Sequence, residues 1–212
     1  MPKKILLLFF AILISSTIYS QKNFDRWWDN VESDERAGLS MDAFEKVQKI
    51  LKKADRKDNP HQFIKAFLYV EKFKLLLKDN SLEEVYQDFV EEIEKQPFPV
   101  KNILSSYLAE SLTQYYNQHR YRLRNRTKID SLTASFTTWD LETFKEKIDD
   151  YYELSLRHKS ELVEIPLSDY KEILSYGDNY DRFRSSILDL LAYRYLRAIR
   201  PNQFYGLSKN NY

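Results

Sequence analysis

The chain has 212 residues, of which 33 are basic, 32 are acidic and none is cysteine. The lack of cysteine excludes disulfides and thiolate chemistry, and the balanced charge lacks the basic surplus of nucleic-acid-binding domains. Three glycines and six prolines are too few for the frequent turns of a sheet protein, so we predict an all-α fold.

The first twenty residues have the layout of a secretory signal peptide. Two lysines precede an apolar run from Ile5 to Ile14, and a more polar stretch ends at Ser20. This run of ten residues is too short to cross a bilayer, which takes about 20. We therefore expect cleavage after Ser20, a secreted or periplasmic location, and a mature chain, residues 21–212, without a membrane span. Removing the two leader lysines leaves one basic residue fewer than the 32 acidic ones, so the mature chain is nearly neutral.

The first mature segments predict a short helix followed by a helical hairpin. Residues 23–33 are expected to be helical, with Trp27 and Trp28 as packing anchors. We predict that Ser40 caps the next helix and that Leu39 and Phe44 form a hydrophobic staple across the cap. Asn59-Pro60 is expected to begin the second helix of this pair, because proline is well tolerated in a first turn.

A second hairpin of similar size is predicted to follow. Ser81 and Glu84 match a capping box, and Pro99 is placed to begin the longest helix of the chain. Short connections imply that neighbouring helices are antiparallel. The two pairs, residues 41–78 and 81–126, are therefore typical of an α-solenoid of the tetratricopeptide type. No consensus repeat is present, so an irregular helical bundle is the alternative.

The segment FTTWDLETF, residues 136–144, follows this hairpin and could be an acidic site beside a tryptophan. We interpret it as a helix start, because Asp140 is well placed as the N-cap. Trp139 and Phe144 then occupy the two positions of a hydrophobic staple.

The last part of the chain is expected to hold two shorter elements. Ser168 is predicted to cap a short helical piece that ends at Gly177. A final helix is expected from about Arg182 to Ile199, where Pro201 ends it.

The sequence contains no motif that we assign to catalysis, to a cofactor or to a metal ion. His61, His119 and His158 are isolated and are interpreted as surface or helix-end residues. Adjacent carboxylates are interpreted as solvated helix surface, although acid–base chemistry is their alternative; these are Glu83-Glu84, Glu91-Glu92 and Asp149-Asp150.

Two further surface patterns have a structural and a binding interpretation. Arg120 and Arg124 share one helix face and Arg122 and Arg126 another, which favours contacts with the helix dipole and with acidic helices over nucleic-acid binding. The sixteen tyrosines include adjacent pairs such as Tyr151-Tyr152, in which one ring should point inward and the next toward a flank. Ordinary packing explains them, and a protein-binding surface is the alternative.

The order of segments resembles the N-terminal region of the alpha-2-macroglobulin-like proteins of Bacteroidetes. The segments that carry the resemblance are the leader ending in YSQ, the WW pair, HQFIKAFLY (61–69), LAESLTQYYNQHRYRLRNRT (108–127), TTWDLETFKEKIDDYYELSL (137–156), IPLSDYKEIL (165–174) and SSILDLLAYRYL (185–196). The resemblance implies the helical N-terminal module of a protease-trapping protein. The bait region and the Cys-Gly-Glu-Gln thioester of that family would lie downstream. The resemblance therefore implies either a gene fragment, whose reading frame continues beyond Tyr212, or a truncated homologue.

We therefore expect a non-catalytic helical interaction module without cofactors. The resemblance implies that its partner is a protein: the downstream macroglobulin domains or an envelope protein. A stand-alone periplasmic scaffold is the alternative, and a hydrolase that uses helix carboxylates is a third hypothesis.

Overall fold

The computed structural model describes residues 24–56, 59–79, 81–124, 126, 135–170, 173 and 185–200. Within these ranges the regular secondary structure is helical, apart from an isolated antiparallel bridge between Pro166 and Ser186, which confirms the predicted all-α fold. The chain divides into two compact units, one ending at Asp79 and the other beginning at Asn80. The division falls between the two predicted hairpins. The predicted leader, Gly177 and Pro201 lie outside the described residues.

The first unit consists of three helices, α1 (residues 24–36), α2 (Ser40–Arg56) and α3 (Pro60–Leu77). Helix α1 ends in a Schellman motif, which is not among the features predicted from the sequence. Leu39 donates its backbone N–H to the carbonyl of Asp34 at 2.8 Å, and Gly38 donates to that of Glu35 at 3.1 Å. Gly38 has a φ of 74°, the left-handed conformation that this motif requires and that favours glycine.

The starts of α2 and α3 differ in how well the sequence predicted them. The carbonyl of Leu39 accepts from Ala43 at 3.0 Å, so Leu39 holds the cap position and Ser40 lies inside the helix. The prediction that Ser40 is the cap is therefore wrong by one residue. Asn59 does cap α3, because its side chain accepts from the N–H of Gln62 at 3.1 Å, and Pro60 occupies the first turn as predicted.

The core of the first unit is rich in aromatic residues and includes a buried polar contact between Trp28 and Gln62. Trp28 donates its indole N–H to the amide oxygen of Gln62 at 2.6 Å, which satisfies both buried groups. Phe44, near the start of α2, contacts Phe73, near the end of α3, with ring centroids 6.2 Å apart. Helices α2 and α3 are therefore antiparallel, as the hairpin prediction requires.

The second unit contains five helices and two short 3₁₀ turns in its described part. The helices are α4 (Leu82–Lys95), α5 (Val100–Arg124), α6 (Leu141–Ser155), the short α7 (Lys159–Leu162) and α8 (Ile187–Ala198), and the 3₁₀ turns are Phe136–Thr138 and Leu167–Tyr170. Helix α5 packs against α4, α6 and α8, so this unit is an irregular bundle around one long helix.

Helices α4 and α5 begin close to the predicted places. Ser81 precedes α4 and is buried, but its side chain makes no capping hydrogen bond, so the predicted capping box with Glu84 is wrong. The backbone of Ser81 is already helical, with φ −78° and ψ −4°, whereas a capping residue usually has an extended backbone. Pro99 immediately precedes α5, close to the predicted place, and its carbonyl accepts from the N–H of Ile103 at 3.1 Å.

The C-terminal elements differ from the prediction at Ser168 and Ser186, which are among the described residues. Ser168 lies within the second 3₁₀ turn and does not cap a helix. Helix α8 begins at Ile187, and the prediction of a start near Arg182 is wrong for the described residues, because Ser186 is extended and bridged to Pro166. Ser186 and Asp189 instead form a capping box that fixes this start.

Candidate functional site

A groove of about 390 Å³ lies between α4 and α6 and is the feature of the second unit best suited to binding. Its floor is largely apolar and consists of Val90 and Ile93 from α4 and of Tyr151 and Leu154 from α6. Ile93 is buried, whereas the other three side chains are partly exposed. This α4–α6 groove is therefore a concave surface where water contacts large apolar side chains.

Helix α6 lines the groove because it carries two separate stripes of large side chains. Phe144, Ile148 and Tyr152 recur at a spacing of four and are buried against the rest of the unit. Lys147, Tyr151 and Leu154 recur at a spacing of four and three and line the groove. Among the described residues, this second stripe is outside the buried core of the unit.

Charged side chains of both signs surround the groove. The acidic ones are Glu94, Asp150 and Glu153, and the basic ones are Lys101, Lys147 and Arg157. Lys147 lies 3.8 Å from Asp150. The other four make no ion pair with any residue in the described parts of the chain. A rim of this kind matches a partner that carries both charges beside an apolar stripe.

Tyr151 links the groove to an aromatic cluster next to it. The hydroxyl oxygens of Tyr151 and Tyr86 are 3.4 Å apart, and the ring of Tyr86 contacts those of Phe136 and Trp139, with centroids 5.2 and 5.4 Å away. Burial raises the pKa of both tyrosine hydroxyls, so both stay protonated at neutral pH. The cluster therefore contacts the floor of the groove at Tyr151, through Tyr86.

The FTTWDLETF segment supplies much of this cluster, and its interpretation as a helix start is confirmed. The carboxylate of Asp140 accepts the backbone N–H of Thr143 at 2.8 Å. The rings of Trp139 and Phe144 contact each other with centroids 5.3 Å apart, which is the predicted staple. Asp140 therefore orients α6, and through α6 the groove.

His61 belongs to the first unit and His119 and His158 to the second, and none of the three lines the groove. His119 stacks on Tyr115 with centroids 4.1 Å apart, and its Nδ1 lies 2.9 Å from the Tyr115 carbonyl oxygen. His158 is exposed, with a positive φ of 62°, and contacts Glu161 at 3.1 Å. His61 is partly buried on α3. In the described ranges no three His, Asp or Glu side chains are placed to bind a metal ion together.

The adjacent carboxylates are also separated, and they contact neighbouring side chains. Glu83 accepts from Ser135 and Gln87, Glu91 pairs with Lys95, and Glu92 accepts from Gln96. Asp149 accepts from Tyr195, whereas Asp150 is on the groove rim. These pairs therefore do not converge in one cleft among the described residues.

The arginine-rich end of α5 only partly follows its interpretation. Arg126 donates to the carbonyl of Trp139 at 3.0 Å and so fastens the helix end to the aromatic cluster. Arg120, Arg122 and Arg124 are exposed and form no ion pair with a described residue, so the predicted pairing with acidic helices is not found there.

The groove residues themselves were not singled out from the sequence, although one signal pointed to them. The adjacent tyrosines were predicted to point to different sides, and Tyr152 is indeed buried while Tyr151 faces the groove. Leu154 gave no such signal, because a single leucine on a charged helix is equally consistent with the core. The groove depends on how α4 approaches α6, which local patterns do not determine.

Comparison with known proteins gives no relative: no family model, no curated protein and no solved structure matches the chain. None of the helices in the described ranges combines the length and the apolar character needed to cross a bilayer.

Proposed function

We propose that this protein is a helical interaction module that binds an amphipathic helix of a partner protein in the α4–α6 groove. The observation that carries the proposal is the partly exposed apolar floor between two helices, bordered by charges of both signs. A helix with one apolar stripe fits such a groove, because its anchors at spacings of three and four cover the floor and its flanks meet the rim.

The charges of the rim favour a helix over a plain apolar ligand. Glu94, Lys101, Glu153 and Arg157 have no ion-pair partner among the described residues, so a partner helix with charges of both signs would gain contacts at either end. Rim charges of this kind set the orientation and association rate more than the affinity. The apolar floor supplies most of the affinity in this proposal.

A photocrosslinking residue at position 90 or 154 tests the proposal in producing cells. We expect crosslinks to one partner from both positions and none from Gln118, which is exposed on α5 and does not line the groove.

A synthetic peptide covering the crosslinked partner segment should bind the purified protein, as measured by fluorescence anisotropy. Leu154→Asp should abolish this binding with the fold retained by circular dichroism, whereas Gln118→Glu should leave it unchanged. Equal crosslinking from position 118 would contradict the proposal.

The resemblance to alpha-2-macroglobulin-like proteins specifies the partner further and stays a prediction. Under this prediction, the groove binds a segment of the downstream macroglobulin domains or an envelope protein, and the described residues do not inhibit proteases by themselves. The DNA that follows the codon for Tyr212 tests it, since strand-rich coding sequence is expected there. Potent inhibition of several proteases by residues 21–212 alone would contradict the non-catalytic module. A partner from an unrelated protein would favour the stand-alone scaffold.

Secretion is part of the same proposal. We expect that protein recovered from the producing cells begins at Gln21, as the signal-peptide layout predicts. N-terminal sequencing measures this directly, and an intact Met1 on protein in the envelope would contradict cleavage.

A further inference from the structure

A second cavity lies in the first unit, between α1 and α2, and has no role in the proposed function. Its volume is about 350 Å³, which is in the range of small-molecule sites, about 300–1,000 Å³. The lining residues are Trp27 and Asn30 from α1 and Lys46, Lys49, Ile50 and Lys53 from α2. Ile50 is buried and the Trp27 side chain is partly exposed, so the two provide an apolar surface inside the cavity.

Three lysines of α2 line the cavity on one side, mainly through the methylene groups of their side chains, because the lining is almost wholly apolar. Lys46, Lys49 and Lys53 follow one another at spacings of three and four, which places them on one face of the helix. Lys46 forms an ion pair with Asp34, so its charge is balanced within the unit. The other two are exposed and have no carboxylate within ion-pair distance among the described residues. Since like charges four residues apart repel each other, an anion between them would relieve that repulsion.

We propose that this cavity binds a small organic anion, with a carboxylate or sulfonate attached to an apolar body. The anionic group pairs with Lys49 and Lys53, and the apolar body lies against Trp27 and Ile50. Neither the lysine pair nor the apolar surface would give tight and selective binding alone. An exposed lysine pair binds simple anions weakly, and the apolar walls give no preference for charge.

Titration with naphthalene-2-carboxylate, followed by tryptophan fluorescence and by amide shifts of α1 and α2 in NMR spectra, tests the proposal. Naphthalene-2-methanol serves as the uncharged analogue and inorganic phosphate as the anion without an apolar body. We expect the carboxylate to bind more tightly than either and to weaken as salt is added, because salt screens exposed charges. Octanoate in parallel distinguishes an aliphatic from an aromatic body.

Single substitutions test which lysines pair with the anionic group of the ligand. Lys49→Gln and Lys53→Gln should each weaken binding of naphthalene-2-carboxylate by about 1.4- to 5-fold, the range of one exposed ion pair. The matched control is Lys52→Gln, since Lys52 is exposed on the same helix and does not line the cavity. It should leave the affinity unchanged. These residues are exposed, so the variants should keep the thermal stability of the parent protein.

Three outcomes would overturn the proposal. One is equal binding of the uncharged analogue, and another is an equal loss of affinity in Lys52→Gln. The third is binding to vesicles of anionic phospholipid without binding of the small carboxylate, which would make the lysine face a membrane contact.

Discussion

The side-chain amide of Asn102 donates a hydrogen bond to the backbone carbonyl of Arg157, 2.9 Å away. The same amide nitrogen lies 3.1 Å from the carbonyl oxygen of Ser155 and 3.4 Å from that of Leu154. Carbonyls at a helix C-terminus have no partner in the helix itself, so a residue near the start of α5 completes the end of α6. Asn102 is only 3% exposed, and water therefore has little access to replace it.

Replacing Asn102 with alanine should lower the free energy of unfolding by about 1–3 kcal/mol, because buried carbonyls lose their donor. Asn102→Asp should also lower the free energy of unfolding at neutral pH, since a carboxylate accepts but does not donate and is repelled by the carbonyl oxygens at the end of α6. Urea denaturation measures both. Asn117, exposed on the same helix, gives the control, and its alanine variant should change stability by no more than about 0.5 kcal/mol. Similar losses at the two positions would contradict the capping role.

Replacing Asp140 with alanine should lower the free energy of unfolding by about 0.5–2 kcal/mol, because α6 loses its N-cap hydrogen bond. Asp140→Asn should be close to neutral, since asparagine caps helices equally well. Thermal unfolding of both variants distinguishes the cap from a role of the charge. Glu146→Ala, at an exposed position of α6, is the control. If the asparagine variant lost as much as the alanine variant, the capping bond would not be the cause.

Replacing Phe144 with alanine should lower stability by about 3–5 kcal/mol, because its side chain is fully buried in the aromatic cluster and would leave a cavity. The ring contacts Trp139, so near-ultraviolet circular dichroism should also change. Tyr121 is 83% exposed and serves as the control, with an expected effect of about 0.5 kcal/mol or less in Tyr121→Ala. A loss below about 1 kcal/mol in Phe144→Ala would contradict this packing.

Alkaline pH should destabilise the protein partly through Tyr152. Burial raises the pKa of Tyr152 to about 12, whereas the hydroxyl ionises near 10 in an unfolded chain. The protonated Tyr152 therefore contributes its full stability below about pH 10, and this stability is lost as the pH rises toward the pKa of Tyr152 in the folded protein. When the pH is raised from about 9 to about 11.5, the free energy of unfolding should fall by about 1–2 kcal/mol less in Tyr152→Phe than in the parent protein. Urea denaturation at both pH values measures this, and Tyr121→Phe is the control. Parallel losses in the parent and in Tyr152→Phe would contradict it.

Local sequence signals predicted the elements of the fold well where one side chain decides the backbone. Asn59-Pro60 and Asp140 begin helices as expected, because the capping bonds of Asn59 and Asp140 reach only three residues along the chain. The signal failed at Ser81, where an equally good motif does not cap, since its backbone is already helical. It also missed Ser186, whose extended backbone belongs to a bridge with a distant residue.

The candidate sites were less accessible from the sequence, because both are formed by pairs of helices. Trp27 is predicted from the sequence only as a packing anchor, and Lys49 belongs to no motif; the two line one cavity because α1 and α2 lie side by side. Similarly, Val90 and Leu154 carry no motif, and only the approach of α4 to α6 makes them the floor of a groove. Asn102 is a further example, since its partners are more than fifty residues away.

The bond from Asn102 to Arg157 has a consequence for recognition. Leu154 and Arg157, which line one end of the α4–α6 groove, belong to the same helix end that this amide fixes. Their backbone is thus held in place before a partner arrives, and binding would cost little ordering entropy there. Asn102→Ala would then weaken a partner mainly by loosening a preorganised wall, even though Asn102 itself is buried beneath that wall and need not touch the ligand.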